Sequence, residues 1–108
     1  MQPARPVRSR DPLNEILLSL WKIHILHHAA DGEVVGQWML SELHEHGYRV
    51  SPGTMYPLLR RMEHCGWLRG TAHGSSPKAR RAYVLTVAGR KALARVRAHL
   101  GELMEELA

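Results

Sequence analysis

Residues 50–63 read VSPGTMYPLLRRME, and two signals in them conflict. Met55, Leu58, Leu59 and Met62 recur at helical spacing, which predicts one apolar helix face. Ser51-Pro52 supplies an N-cap and a proline at the first helical position, where the missing N–H would be unpaired anyway. Pro57, however, falls where a helix interior belongs, removes the hydrogen bond to Gly53 and crowds that carbonyl. Two accommodations are open. Either the helix bends in its second turn, or residues 52–54 form a loose first turn and the regular helix starts near Thr54. Opposite the apolar side lie Gly53, Pro57, Arg60 and His64, flanked by Tyr56 and Arg61.

Working outward, a second helix is predicted from Val35 to about Glu45, burying Met39, Leu40 and Leu43, with Gly47 as its stop and HGYRV as the turn into Ser51. Ahead of it, Asp11-Pro12 opens a first helix that ends near Ala30, before Asp31-Gly32. Its stripe is Leu13, Ile16, Leu17, Leu20, Trp21, His24 and Leu26. Residues 1–10, MQPARPVRSR, are basic and without periodicity and are read as a disordered arm. Downstream, Gly66 closes the third helix at about Glu63 or His64. WLRGTA (67–72) and RAYVLT (81–86) then flank the loop HGSSPKAR as a hairpin. Thr86 caps a last helix in which Leu93, Val96, Leu100, Leu103 and Leu107 follow in steps of 3, 4, 3 and 4, the spacing of a helix–helix seam. The expected fold is mainly α with a small β-hairpin: a winged helix-turn-helix domain over 11–86 and a dimerisation helix over 87–108.

Composition narrows the function. The chain has 108 residues, a formal charge of +5 and 15 basic residues, of which only Lys22, Lys78 and Lys91 are lysine. Arginine's planar fork matches phosphate and base edges, so an anionic polymer is the expected partner; an arginine-rich genome would give the same composition. No apolar run has membrane-spanning length, and the single Cys65 excludes an internal disulfide and suits a reducing compartment, so the expected location is cytoplasmic. Glycines stand alone rather than in a phosphate-cradling loop, and no catalytic Ser/His/Asp or Cys/His arrangement has local context, which argues against an enzyme.

Chemistry then assigns roles on double-stranded DNA. The candidate set is Ser51, Thr54, Tyr56, Pro57, Arg60, Arg61 and His64 on the helix, with Lys78, Arg80 and Arg81 on the wing. Arg60 and Arg61 can each bind guanine or phosphate bidentately, one good base contact giving about 1–3 kcal/mol of discrimination. Thr54 and Tyr56 suit phosphate, and the wing cations suit backbone or minor groove. The alternative is a solvated arginine face on a small α+β protein.

The blocks HGYRVSPGTMYPLLRRMEHCGWL and ARRAYVLTVAGRKAL closely resemble the PadR family of bacterial transcriptional regulators, over nearly all of residues 16–100. The most specific parts are SPGTMYPLLRRME, RRAYVLT and the opening of the last helix at Thr86, Gly89 and Arg90. The resemblance implies a homodimeric winged-helix repressor that leaves a palindromic operator when an unidentified small-molecule or metal effector binds. For a chain this short it implies a dimer interface built from the last helix and the first, here Leu13, Leu17, Leu93, Val96, Leu100, Leu103 and Leu107. It also carries onto Thr54, Tyr56, Arg60, Arg80, Arg81 and Tyr83. Relatives often have Lys-Tyr-Tyr after the wing arginine, whereas Arg81-Ala82-Tyr83 stands here. The aromatic drug site of some small members does not carry over, because residues 87–107 contain no aromatic side chain.

Eight histidines are a high count for this length. In HILHHAAD, His24, His28 and Asp31 share one helix face and could offer three ligands to zinc, nickel or copper, with Glu33 or a partner-subunit residue completing the shell. The other reading is a helix end whose imidazoles interact with the dipole and expose their tips. His44 and His46 read as surface residues beside a turn, and Cys65 as a small buried hydrophobe in preference to a soft ligand beside His64. No cofactor is firmly implied. Three function classes therefore stand: a DNA-binding regulator, a winged-helix module that binds protein, and a metal-binding or metal-responsive protein.

Overall fold

The computed structural model describes residues 11–73 and 80–108. Helix α1 (Asn14–Asp31) is followed by strand β1 (Val34–Val35), helices α2 (Gly36–Glu45) and α3 (Pro52–His64), strands β2 (Leu68–His73) and β3 (Arg80–Leu85), and helix α4 (Val87–Leu107). The arm at 1–10 and the loop residues 74–79, Lys78 among them, lie outside the described residues.

The wing differs from a simple hairpin. A third strand joins it, in the antiparallel order β1-β3-β2, with Val34 opposite Tyr83 and Val35 opposite Ala82. Val35 is therefore a strand residue, not the first residue of α2. A β-branched pair followed by Gly36 forms a short ladder more readily than it opens a helix.

Helix ends obey local chemistry. The Asp11 carboxylate accepts from Leu13 N at 3.0 Å, and the Asp11 carbonyl accepts from Asn14 N at 2.9 Å, so the aspartate caps a tight turn that leads into α1 two residues later than expected. Helices α2 and α3 close alike. Gly47 and Gly66 have φ of 91° and 84°, left-handed values that a side chain disfavours. Tyr48 N donates to Leu43 O and Gly47 N to His44 O; Trp67 N donates to Met62 O and Gly66 N to Glu63 O. Each is the paired closure that satisfies the last carbonyls of a helix.

The core joins Trp21, Ile25, Leu26 and Ala29 of α1 to Met39 and Leu43 of α2 and to Met55, Leu58, Leu59 and Met62 of α3, sealed by Val34, Val50, Leu68, Tyr83 and Leu93. Leu40 only packs on its margin. The expected stripe on α1 is too long, because Leu13 is 50% and Ile16 65% exposed. The core ends at Leu17 and Leu18, and one turn of helix projects past it. Leu93, expected in the dimer seam, is 2% exposed inside the chain's own core; the first turns of α4 dock on its own domain. Leu103, Met104 and Leu107 remain exposed.

The α4 start accounts for the Thr86–Gly89 spacing. Thr86 Oγ1 accepts from Gly89 N at 2.9 Å and donates to Gly66 O, while Thr86 N donates to Trp67 O at 3.0 Å. A Cβ on Gly89 would overlap the Trp67 carbonyl, so only glycine lets α4 approach the base of the wing this closely.

Candidate nucleic-acid interface

Helix α3 buries Met55, Leu58, Leu59 and Met62 completely or nearly so, which fixes its rotation. Gly53, Tyr56, Pro57, Arg60, Arg61 and His64 are thereby left exposed, with Thr54 half-buried. Among the described residues no polar or charged side chain is buried, so the cations of this face stand in solvent.

The N-terminus is capped as the sequence predicts. Ser51 Oγ accepts from Thr54 N at 3.2 Å and lies 3.3 Å from Thr54 Oγ1. The Ser51 carbonyl accepts from both Thr54 N (3.0 Å) and Met55 N (2.9 Å), so the first turn is tightened, and the helix continues unbroken through Pro57. Pro57 is tolerated without ending the helix because the first turn is independently capped and the apolar face is clamped by the core.

Between the starts of α1 and α3 opens a cleft of about 1030 Å³. Gly53, Thr54, Pro57, Arg61 and Arg49 face Asp11 and Glu15 across it. Trp21, edge-on to Tyr48 at 6.2 Å, forms part of the wall, and its buried indole N–H has no hydrogen-bond partner among the described residues. The arginine pair is thus divided: Arg61 lines a cleft that also holds carboxylates, whereas Arg60 is exposed outside it. Arg49, exposed in the turn ahead of α3, is a cation absent from the sequence-derived set; its place two residues before the capping serine was the available signal.

Two contacts give the face its shape. The Tyr56 ring lies so close to Gly36 that a Cβ there would overlap the ring edge, and Tyr56 therefore braces α3 against the start of α2 while remaining 40% exposed. Glu63, at the other end of α3, accepts from Gly70 N at 3.1 Å and from Arg81 Nη2 at 3.0 Å. One carboxylate ties the helix to both wing strands. Arg81 also lies over the Tyr83 ring at 5.8 Å, and hydrogen bonding to Tyr83 together with the Glu63 charge favours its cationic form still further. Its guanidinium is engaged within the chain, which sets it apart from the exposed Arg80 and from Arg69, an exposed β2 residue absent from the sequence-derived set. Ala82, where relatives often carry an aromatic, is 1% exposed on the central strand, opposite Val35 of β1 and Thr71 of β2.

The histidines gather elsewhere. His24, His28 and His46 bring one ligand atom each to within 4.8 Å of one another; Asp31 is not part of the group and lines a shallow depression with Glu33 and Trp38. His46, taken from sequence as a plain surface residue, enters because the turn after α2 folds back onto α1. Burial pushes the His24 imidazole below the ordinary histidine range, assisted by His46, His28 and His27. Burial also lowers His28, with Glu42 opposing. His44 Nε2 meets the Val50 carbonyl at 3.0 Å and stabilises the turn. Cys65 is exposed at the end of α3, not buried, because the apolar face ends at Met62.

Three helices, a recognition helix with a cationic outer face and a wing tied to it define a winged helix-turn-helix protein. The chain belongs to the PadR-like family of transcriptional regulators, whose family model matches residues 25–95. It is 52% identical over 86 residues to the transcriptional regulator Rv3488 of Mycobacterium tuberculosis, covering 80% of each chain. Among solved structures it resembles a PadR-like regulator of Bacillus cereus (29% identity, TM-score 0.75, 86% of this chain and 92% of the other). A PadR-like transcription factor of Bacteroides fragilis shares the fold at 24% identity, with a TM-score of 0.76 over 90% of this chain and 96% of that one. The family is one of regulators and not of enzymes, and no helix among the described residues is long and apolar enough to cross a membrane.

Proposed function

We propose that the chain acts as a homodimeric repressor in the cytoplasm, binds a palindromic operator in duplex DNA and is released by an effector. The observation that carries the reading is the exposed face of α3, where small residues at a capped N-terminus precede cations along a helix whose other side is locked into the core. The helix N-terminus favours phosphate, and the small Gly53 permits close approach to the duplex. Arg60, free of the cleft, is the base-reading arginine; Arg61 and Arg49 at the cleft lip, with Ser51, Thr54 and Tyr56, hold phosphate. Arg80, with Lys78, contacts backbone from the wing, and Arg81 keeps the wing in place.

Support for the dimer comes from Leu13, Ile16, Leu103, Met104 and Leu107, which leave apolar surface on α1 and α4 that the described residues of one chain do not cover. Val96 and Leu100, half-buried, continue that seam inward. Two copies joined there present two recognition helices to successive major grooves about 34–36 Å apart.

Fluorescence anisotropy with the promoter upstream of the protein's own gene, titrated at several salt concentrations, tests the reading. The observed constant should fall on a log–log plot with a slope of about −0.9 per phosphate neutralised. Absent or salt-independent binding would refute DNA recognition and favour a protein-binding winged helix.

A further inference from the structure

The three-histidine group has a neighbour that completes it. His28 Nε2 lies 3.7 Å and His46 Nε2 3.5 Å from the same atom, Glu42 Oε1. Glu42 and His46 stand four residues apart at the end of α2, and His24 and His28 four residues apart on α1, so each helix contributes an adjacent pair to one point. His24 meets the His46 ring at 4.9 Å and the Tyr48 ring at 5.6 Å, which holds the imidazoles side by side. We infer that His24, His28, His46 and Glu42 form a tetrahedral site for one divalent transition cation of the zinc class, one per chain.

Three imidazoles and one carboxylate are the donor set of zinc, nickel or copper and not of calcium or magnesium, which take oxygen. Ligand nitrogens on tetrahedral zinc stand about 3.4 Å apart, as its bond lengths require. The observed span of up to 4.8 Å closes to that by side-chain rotation, since all four groups are partly or largely exposed and none is locked in the core. Asp31 borders His28 in a neighbouring depression but is not among the groups whose ligand atoms converge within 4.8 Å, so the assignment leaves it out.

The position has a regulatory consequence, which rests on the DNA-binding reading. His46 is the first residue past α2, and the chain from there to Ser51 sets where α3 begins. A cation held here fastens that turn to α1 and thereby fixes the recognition helix against the dimer-forming helix.

The site is tested without DNA. Metal-free full-length protein is titrated with zinc by calorimetry and with cobalt by visible absorption, using wild type, His46→Ala, Glu42→Gln and Asp31→Ala, each checked by circular dichroism. One ion per chain, intense tetrahedral cobalt bands, affinity lost by more than about tenfold in His46→Ala and Glu42→Gln, and affinity unchanged in Asp31→Ala support the assignment. No binding, a pale octahedral cobalt spectrum, or affinity that survives both of the first two substitutions overturns it. His46 is largely exposed and Glu42→Gln preserves size, so at least one variant reports on ligation in a folded protein.

Discussion

At the residue scale, function depends on a few side chains whose neighbours decide what they can do. Arg60 and Arg81 both belong to the proposed DNA-binding set, yet Arg60 is exposed on α3 whereas Arg81 is bound to Glu63. Arg60→Ala should weaken operator binding and cost about 1–3 kcal/mol of discrimination at one base pair, measured against single-base operator variants. Two glycines are fixed by close approach: Gly36 by the Tyr56 ring and Gly89 by the Trp67 carbonyl. Gly89→Ala should destabilise by about 1–3 kcal/mol in urea unfolding, because the neighbour is backbone and cannot rotate away. His24 and His28 give the metal-free protein a pH dependence. Their folded-state values lie below the ordinary 6.5 through burial, with His27 and His46 adding to it and Glu42 and Asp31 opposing at His28. The unfolded chain therefore binds more protons in the window just below 6.5, and stability falls as pH drops through it. Thermal melts of metal-free protein between about pH 7.5 and 5 should show a falling midpoint, less so in a His24→Gln variant.

At the scale of elements, the caps and stops of the helices were legible because they depend on neighbours in sequence. Ser51-Pro52, Thr86, Gly47 and Gly66 act where simple chemistry puts them, and Asp11 caps a preliminary turn in place of the helix itself. Strand β1 was not legible, since two residues carry no periodicity and a strand of that length exists only by pairing with β3. Pro57 belongs to this scale as well. The helix runs through it without a break, on the face with Gly53 and beside Arg61. Pro57→Ala should restore a helical hydrogen bond to the Gly53 carbonyl; operator affinity should shift by several-fold while the unfolding midpoint moves little. The Glu63 brace gives a complementary outcome. Glu63→Ala should leave α3 folded but loosen the wing, seen as faster amide exchange in β2 and weaker operator binding.

For the whole molecule, apolar surface is left over at one end. Leu103 and Leu107 on α4 are exposed as the heptad spacing suggested, but Leu93 at the head of the same series is consumed by the chain's own core. A seam that begins as intrachain packing and ends as open surface is what a helix shared between a domain and a partner copy should show. Leu103→Glu with Leu107→Glu should give a 12.2 kDa monomer in sedimentation, with helical content kept and operator affinity largely lost. Zinc at saturation should alter operator affinity of the wild type by fivefold or more, the low end of ordinary coupling, and leave His46→Ala unaffected.

The sequence by itself determined the order of helices, the capped and proline-bearing recognition helix, its apolar and cationic faces and the hairpin, since each of these rests on periodicity or on hydrogen bonds between close neighbours in the chain. Only the tertiary structure decided which cations are free, which leucines are already buried, that Val34 and Val35 form a third strand, and that His46 and Glu42 join His24 and His28 while Asp31 stands apart. The physical reason is common to all four. Burial, ion pairing and metal geometry are set by distances through space between residues far apart in sequence, and no spacing along the chain encodes those distances until the helices have packed.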